Sequence, residues 1–230
     1  MISIVLSRHD FRENDQVIAL YTQERGKLEV LARGVKKILS KNAAYLEPCF
    51  LVDVEIVHGK EIIHLIKAQP VDLFKNIRAD LPKIYLVGYL MKLLDKLLKP
   101  EDADKRIFEL TVSFLEFLDQ TPPLNLPLKE GETVLVDPSS LRRGLGGGVN
   151  SYLILLDAFL LKLFSLLGFD ISEVENMDGS MKKTLDLLLK NNWESLPDVL
   201  DKKVVQALHK IVHHFMESQS EQKLAYFSQI

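Results

Sequence analysis

A single cysteine in 230 residues, Cys49, excludes an internal disulfide and any multi-thiolate metal site, and it fits a reducing compartment, the cytoplasm. A surplus of basic residues is lacking too. The 29 Lys and Arg face 32 Asp and Glu, a net charge of -3 that argues against a coat binding polyanions over its whole surface. Long charge-free apolar runs are missing: the most apolar window, SYLILLDAFLLKLFSLLGF from Ser151 to Phe169, carries Asp157 and Lys162, so it reads as a buried helix rather than a membrane span. The N-terminus, MISIVLSRHDFREND, has no basic region followed by an apolar run, and no signal peptide is expected. Signatures of enzymes are absent as well. No GxSxG elbow occurs, and GLGGGVNS beside Arg142 and Arg143 lacks the GxxxxGK[ST] pattern, so it reads as a surface excursion rather than a nucleotide loop. His209 and His213 have the i, i+4 spacing that metals use, but no Glu stands between them as a metalloprotease requires. They read as histidines on a partly exposed helix, with no metal and no cofactor expected. Cys49 itself is expected as a buried, inert thiol in a strand.

What is present changes period near residue 80. Before it, VLSR, QVIALYTQ, KLEVLARGV, CFLVDVEIVH and EIIHLIKAQ are short, rich in Val, Ile, Leu and Tyr, and several alternate apolar with polar. ERG and HGK supply glycine-bearing hairpin turns. Five short strands leave exposed edges unless the sheet curls closed, which predicts a small barrel of the OB-fold kind. After Asp80, an N-cap with Pro82 in the first turn, apolar residues return at helical steps: Ile84, Val87, Met91, Leu94, Leu98; then Ile107, Leu110, Phe114, Leu115, Leu118; then Leu153 to Leu167. Further helices are expected over 181–191 and 202–217. The predicted architecture is α+β and multi-domain: a five-stranded barrel over 1–80 and a C-terminal α-helical bundle over 81–230.

Charge divides the same way. Residues 1–80 hold 12 Lys and Arg against 11 Asp and Glu, and a third of those cations, Arg33, Lys36, Lys37 and Lys41, lie between Glu29 and Glu47 with no acid among them. Cations not neutralised by neighbouring acids suit phosphate backbones, and small barrels pair such surfaces with aromatic faces for single strands. Tyr45 follows this stretch, and Arg8 and Phe11 flank the end of the first strand. From charge alone three readings stay open: a nucleic-acid site, a solvated loop, and a grip on an acidic protein partner with no direct DNA role.

The residues SRHDFREND, YTQERGKLEVLARGVKK, the loop ending in LEPC and the strand pair LVDVEIVHGKEIIHLI resemble the N-terminal OB domain of the RecO family of bacterial DNA repair proteins. LLDAFLLKLFSLLGF is similar to that family's helical core. The resemblance implies a non-enzymatic recombination mediator that binds single- and double-stranded DNA and anneals complementary strands. It also implies partners: the acidic C-terminal tail of the single-strand binding protein, RecR, and through them the recombinase RecA. The family's basic motif maps onto Arg33, Lys36, Lys37 and Lys41 with Arg8, followed by Arg12 and Tyr45. Two departures stand out. FDISEVENMDGSMKK holds none of the four cysteines with which many members bind zinc, and residues 126–152 read as an insertion in which Arg142 and Arg143 offer a minor phosphate contact. The paired cations Lys105 and Arg106, Lys182 and Lys183, Lys202 and Lys203 read as solvated helix ends, or as the border of a groove for the acidic tail.

Overall fold

The alternating segments fold as expected into five strands, β1 (Ile2–Asp10), β2 (Gln16–Thr22), β3 (Gly26–Ala32), β4 (Leu51–His58) and β5 (Ile63–Asp72). The structure is a computed structural model that describes residues 1–121, 148–169, 179–195 and 202–219. β1, β2 and β3 form an antiparallel meander, and β4 pairs antiparallel with both β1 and β5. A short parallel pairing, Val30 with Ile63 and Leu31 with His64, closes the ring in the order β1-β2-β3-β5-β4. This is the OB-type barrel. Register shifts between Val5 and Ser7 on β1 and between Glu55 and Ile56 on β4 add the local twist that closure of so small a sheet needs.

Val5, Ile18, Leu20, Val30, Val52 and Val54 fill the barrel core. Ile4, which pairs with Tyr21 and Leu51 on the other face of β1, is buried as well. The reason is a helix. After the single turn α1 (Lys75–Arg78), the helix α2 (Leu81–Leu97) packs on β1, so that strand is covered on both faces. Asp80 caps α2 by accepting from the Lys83 amide at 3.4 Å, with proline in the first turn as expected. Asp95 of α2 takes the Lys27 ammonium at 2.7 Å and the Ser7 hydroxyl at 2.8 Å, which fastens helix to barrel. The segment leading to α3 (Lys105–Gln120) then crosses the β2–β3 turn, where the Glu101 amide donates to the Lys27 carbonyl at 2.9 Å. Gly26 is required there: its φ is +69°, and a Cβ would stand 2.3 Å from the Asp102 carbonyl oxygen.

The chain divides into two compact units, Met1–Thr121 and Pro122–Ile230. In the second, α4 (Gly148–Leu166), α5 (Gly179–Lys190) and α6 (Lys202–Gln219) pack on one another. The two charges in the apolar α4 have internal partners. Asp157 Oδ1 lies 2.7 Å from His209 Nδ1, and Lys162 Nζ donates to the Leu189 and Asn191 carbonyls at 2.6 and 2.9 Å. His209 therefore corrects the expectation of a partly exposed helix face: it is buried against a carboxylate. No helix among the described residues is long and apolar enough to cross a membrane. Of the segment 126–152, Gly148 to Tyr152 begin α4, whereas Arg142 and Arg143 lie outside the described residues. So do Asp170 to Asp178, where the family's zinc motif would fall.

Candidate nucleic-acid interface

Two connections, β1–β2 and β3–β4, meet at one end of the barrel and carry the cations singled out in the sequence. The β1–β2 turn is tight, with the Phe11 amide donating to the Asp15 carbonyl at 3.1 Å. The β3–β4 connection locks onto it: the Gly34 amide donates to Asp15 Oδ1 at 2.8 Å and the Lys36 amide to the Asn14 carbonyl at 3.1 Å. Gly34 adopts φ +63°, which turns the chain out of β3 immediately after Arg33. Buried Val35 anchors the start of the loop and buried Leu46 its end. Asn42 ties it to β5, donating to the Ile66 carbonyl at 3.2 Å and accepting from the Ala68 amide at 3.1 Å. A 3-10 turn at Ala43–Tyr45 follows, leaving Tyr45 half-buried on the rim. The loop is held at both ends and projects between them.

Its cations are not equivalent. Lys36 Nζ stands 2.7 Å from Asp10 Oδ2, and Arg8 stands 2.6 Å from Glu47. This corrects the reading of an acid-free cluster, because acids distant in sequence arrive through the fold. Lys36, as the largest influence, holds the Asp10 carboxyl below its ordinary range. Both pairs are exposed, so each is worth little and a phosphate can compete for the cation. Arg33, Lys37 and Lys41 are exposed, and among the described residues no carboxylate pairs with them. Arg12 places its guanidinium 5.1 Å from the centre of the Phe11 ring, which is itself 47% exposed. The structure thus joins the loop that carries Arg33, Lys36 and Lys37 to the turn that carries Arg12 and Phe11, with Lys41 and Tyr45 further along the same loop.

One feature was missed by reasoning on charge. Ile38 and Leu39, at the tip between Lys37 and Lys41, are 102% and 92% exposed. The signal was present in KKILSK: two large aliphatic residues in a segment with no strand or helix period to bury them. On the helices, Lys105 pairs with Glu109 and Arg106 with Asp104, whereas Lys182 and Lys183 are exposed. The side chains of Lys202 and Lys203 are not among those described. Cys49 is buried, but in a left-handed turn (φ 74°) just before β4 rather than in the strand itself. Burial pushes its thiol up to about 12, which makes it a poor nucleophile. Among the described residues no group of His, Cys, Asp and Glu is placed to hold a metal ion.

The chain matches the family model described as "Recombination protein O N terminal" over residues 2–74, and "Recombination protein O C terminal" over 78–129. It is 38% identical over 122 residues to a DNA repair protein RecO of Geobacter metallireducens, an alignment covering 53% of this chain and 50% of that one. To the RecO of Geobacter sulfurreducens it is 37% identical over 118 residues, covering 51% of this chain and 49% of the relative. The RecO of Anaeromyxobacter sp. strain K is 32% identical over 134 residues, with 57% and 53% covered. The matched region spans about half the length of these curated relatives.

Proposed function

Since the chain belongs to the RecO family of DNA repair proteins, we propose that it binds DNA through the β3–β4 loop and acts as a strand-annealing recombination mediator. The observation that carries this reading is the loop itself: Arg33, Lys37 and Lys41 project from an anchored turn, and among the described residues no carboxylate pairs with them. Phosphates held by such cations release counterions, and this attraction reads no base sequence. A surface of that kind serves annealing, because it offsets the repulsion between two complementary strands while leaving their base edges free to pair. Arg8 and Lys36 can exchange Glu47 and Asp10 for phosphate, and Arg12 and Tyr45 extend the contact on either side. The role is non-enzymatic and belongs in the cytoplasm with the chromosome. The family resemblance supports the rest of the assignment: contact with RecR and the acidic tail of the single-strand binding protein, and through them delivery of RecA to coated single strands. Exposed Lys182 and Lys183 are available to an acidic tail.

The direct test is the rate at which complementary labelled oligonucleotides pair, followed by energy transfer. Wild type should accelerate pairing, and a protein with Arg33, Lys36, Lys37 and Lys41 all replaced by alanine should lose most of the acceleration. Equal rates with wild type and variant would remove the loop from the mechanism. Wild type no faster than buffer would remove annealing altogether.

A further inference from the structure

The tip of the β3–β4 loop leaves Ile38 and Leu39 wholly in water although the same loop buries Val35 and Leu46. Exposed aliphatic surface is unfavourable, and no contact among the described residues offsets it here. Nor is the tip an unstructured excursion. The Lys37 amide donates to the Gly34 carbonyl at 3.1 Å and the Ser40 amide to the Lys37 carbonyl at 2.9 Å, so consecutive turns present the two side chains outward. Lys36 and Lys37 precede them and Lys41 follows, so any occupant is met by positive charge on both sides of a small apolar point. The half-exposed Phe11 with Arg12 over its ring adds a second apolar face flanked by a cation at the same end of the barrel.

Unpaired nucleobases have this complementary character: apolar faces spaced along a chain of anionic phosphates. In a duplex those faces are stacked and covered, and aliphatic side chains reach them only by wedging steps apart at a cost. We propose that Ile38 and Leu39 pack against the faces of unpaired bases while Arg33, Lys37 and Lys41 hold the neighbouring phosphates, which gives this loop a preference for single strands over duplex. The inference rests on the DNA-binding role proposed above and assigns a strand preference to that same site.

The test compares anisotropy titrations of a labelled single strand and a duplex of equal length, using the full chain. The variants are Ile38→Ser with Leu39→Ser, the swap Ile38→Leu with Leu39→Ile, and the triple alanine replacement of Arg33, Lys37 and Lys41. All these sites are exposed except for backbone contacts, and thermal melting checks that each variant is folded. The serine variant should lose about tenfold in single-strand affinity and less than about twofold on duplex, with an unchanged salt slope, since apolar area and not charge is removed. The swap should bind like wild type, and the triple alanine variant should weaken on both substrates. Equal behaviour of the serine variant and wild type on single strands, or equal losses on both substrates, would overturn the assignment while leaving the phosphate contacts standing. Failure of wild type to bind either DNA would instead bring down the underlying role. Flotation with phosphatidylglycerol vesicles that depends on Ile38 and Leu39, without an effect on DNA, would give the tip to a membrane surface and contradict the proposal.

Discussion

Lys83 shows how much a single side chain can settle in this fold. It is 1% exposed on α2, and its ammonium donates to the Leu118 and Thr121 carbonyls at 2.8 and 2.6 Å. Those acceptors sit at the C-terminal end of α3, where helix carbonyls lack partners and the dipole favours a cation. Desolvation, the opposing effect, pulls the lysine pKa below its ordinary value. Lys162 repeats the device at the end of α5, with the Trp193 ring 5.5 Å from its ammonium. Replacing Lys83 with methionine keeps the stem but strands the carbonyls; we expect a loss of about 2–3 kcal/mol in urea denaturation. An unchanged midpoint would show that water replaces the ammonium at no cost. Cys49 and Tyr21 give a pH prediction. Burial is the main reason that the thiol rises from 9.0 to about 12 and the phenol from 10.0 to about 12. Both groups have raised folded values, so their contribution is complete below about pH 9 and is lost as pH rises toward 12, because only the unfolded chain ionises early. The part contributed by these two groups should therefore be level to about pH 8.5 and fall above pH 9, so that wild type loses more stability than Tyr21→Phe between about pH 9 and pH 11; equal losses in the two would refute this.

Elements differ in how much of themselves they reveal in sequence. The five strands, the hairpin turns and the start of α2 were legible, because a period of two, glycine turns and the Asp80–Pro82 cap are local signals. Burial of β1 on both faces was not, since it depends on α2, whose fastening at Asp95 to Lys27 joins residues far apart in sequence. The basic loop was half-legible. Its cations and position were evident, but the pairing of Lys36 with Asp10 and Arg8 with Glu47 is a product of the barrel register and the meeting of loops. The tip residues Ile38 and Leu39 escaped a reading that weighed charge and aromatics alone. In α6, spacing suggested a shared face for His209 and His213 but not the Asp157 carboxylate on α4. Burial raises the Asp157 pKa, and His209 is what opposes that rise. His209→Leu leaves a buried carboxylate alone and should cost about 3–5 kcal/mol, of which the double replacement with Asp157→Leu should restore a large part. Additive losses in that double-mutant cycle would mean that the pair is not coupled.

At the scale of the molecule, a chain with net charge -3 gathers Arg33, Lys37 and Lys41, none of them paired with a carboxylate among the described residues, on one barrel loop, and this clustering is the physical basis of the proposed role. Long-range attraction by the whole surface is unavailable to it, so DNA affinity should depend on a few contacts and its salt slope should be modest, about 0.7 per contact on single strands. The family assignment and the barrel agree on the kind of protein. The measurement that reaches the central claim most directly is the salt dependence of single-strand binding, comparing wild type with Arg33, Lys37 and Lys41 replaced together by alanine. Each phosphate contact on a single strand contributes about 0.7 to the slope of log affinity against log salt, so the variant should bind more weakly with a slope shallower by about 2. A variant with the affinity and slope of wild type would contradict the account, because the free cations of the loop would then hold no phosphate.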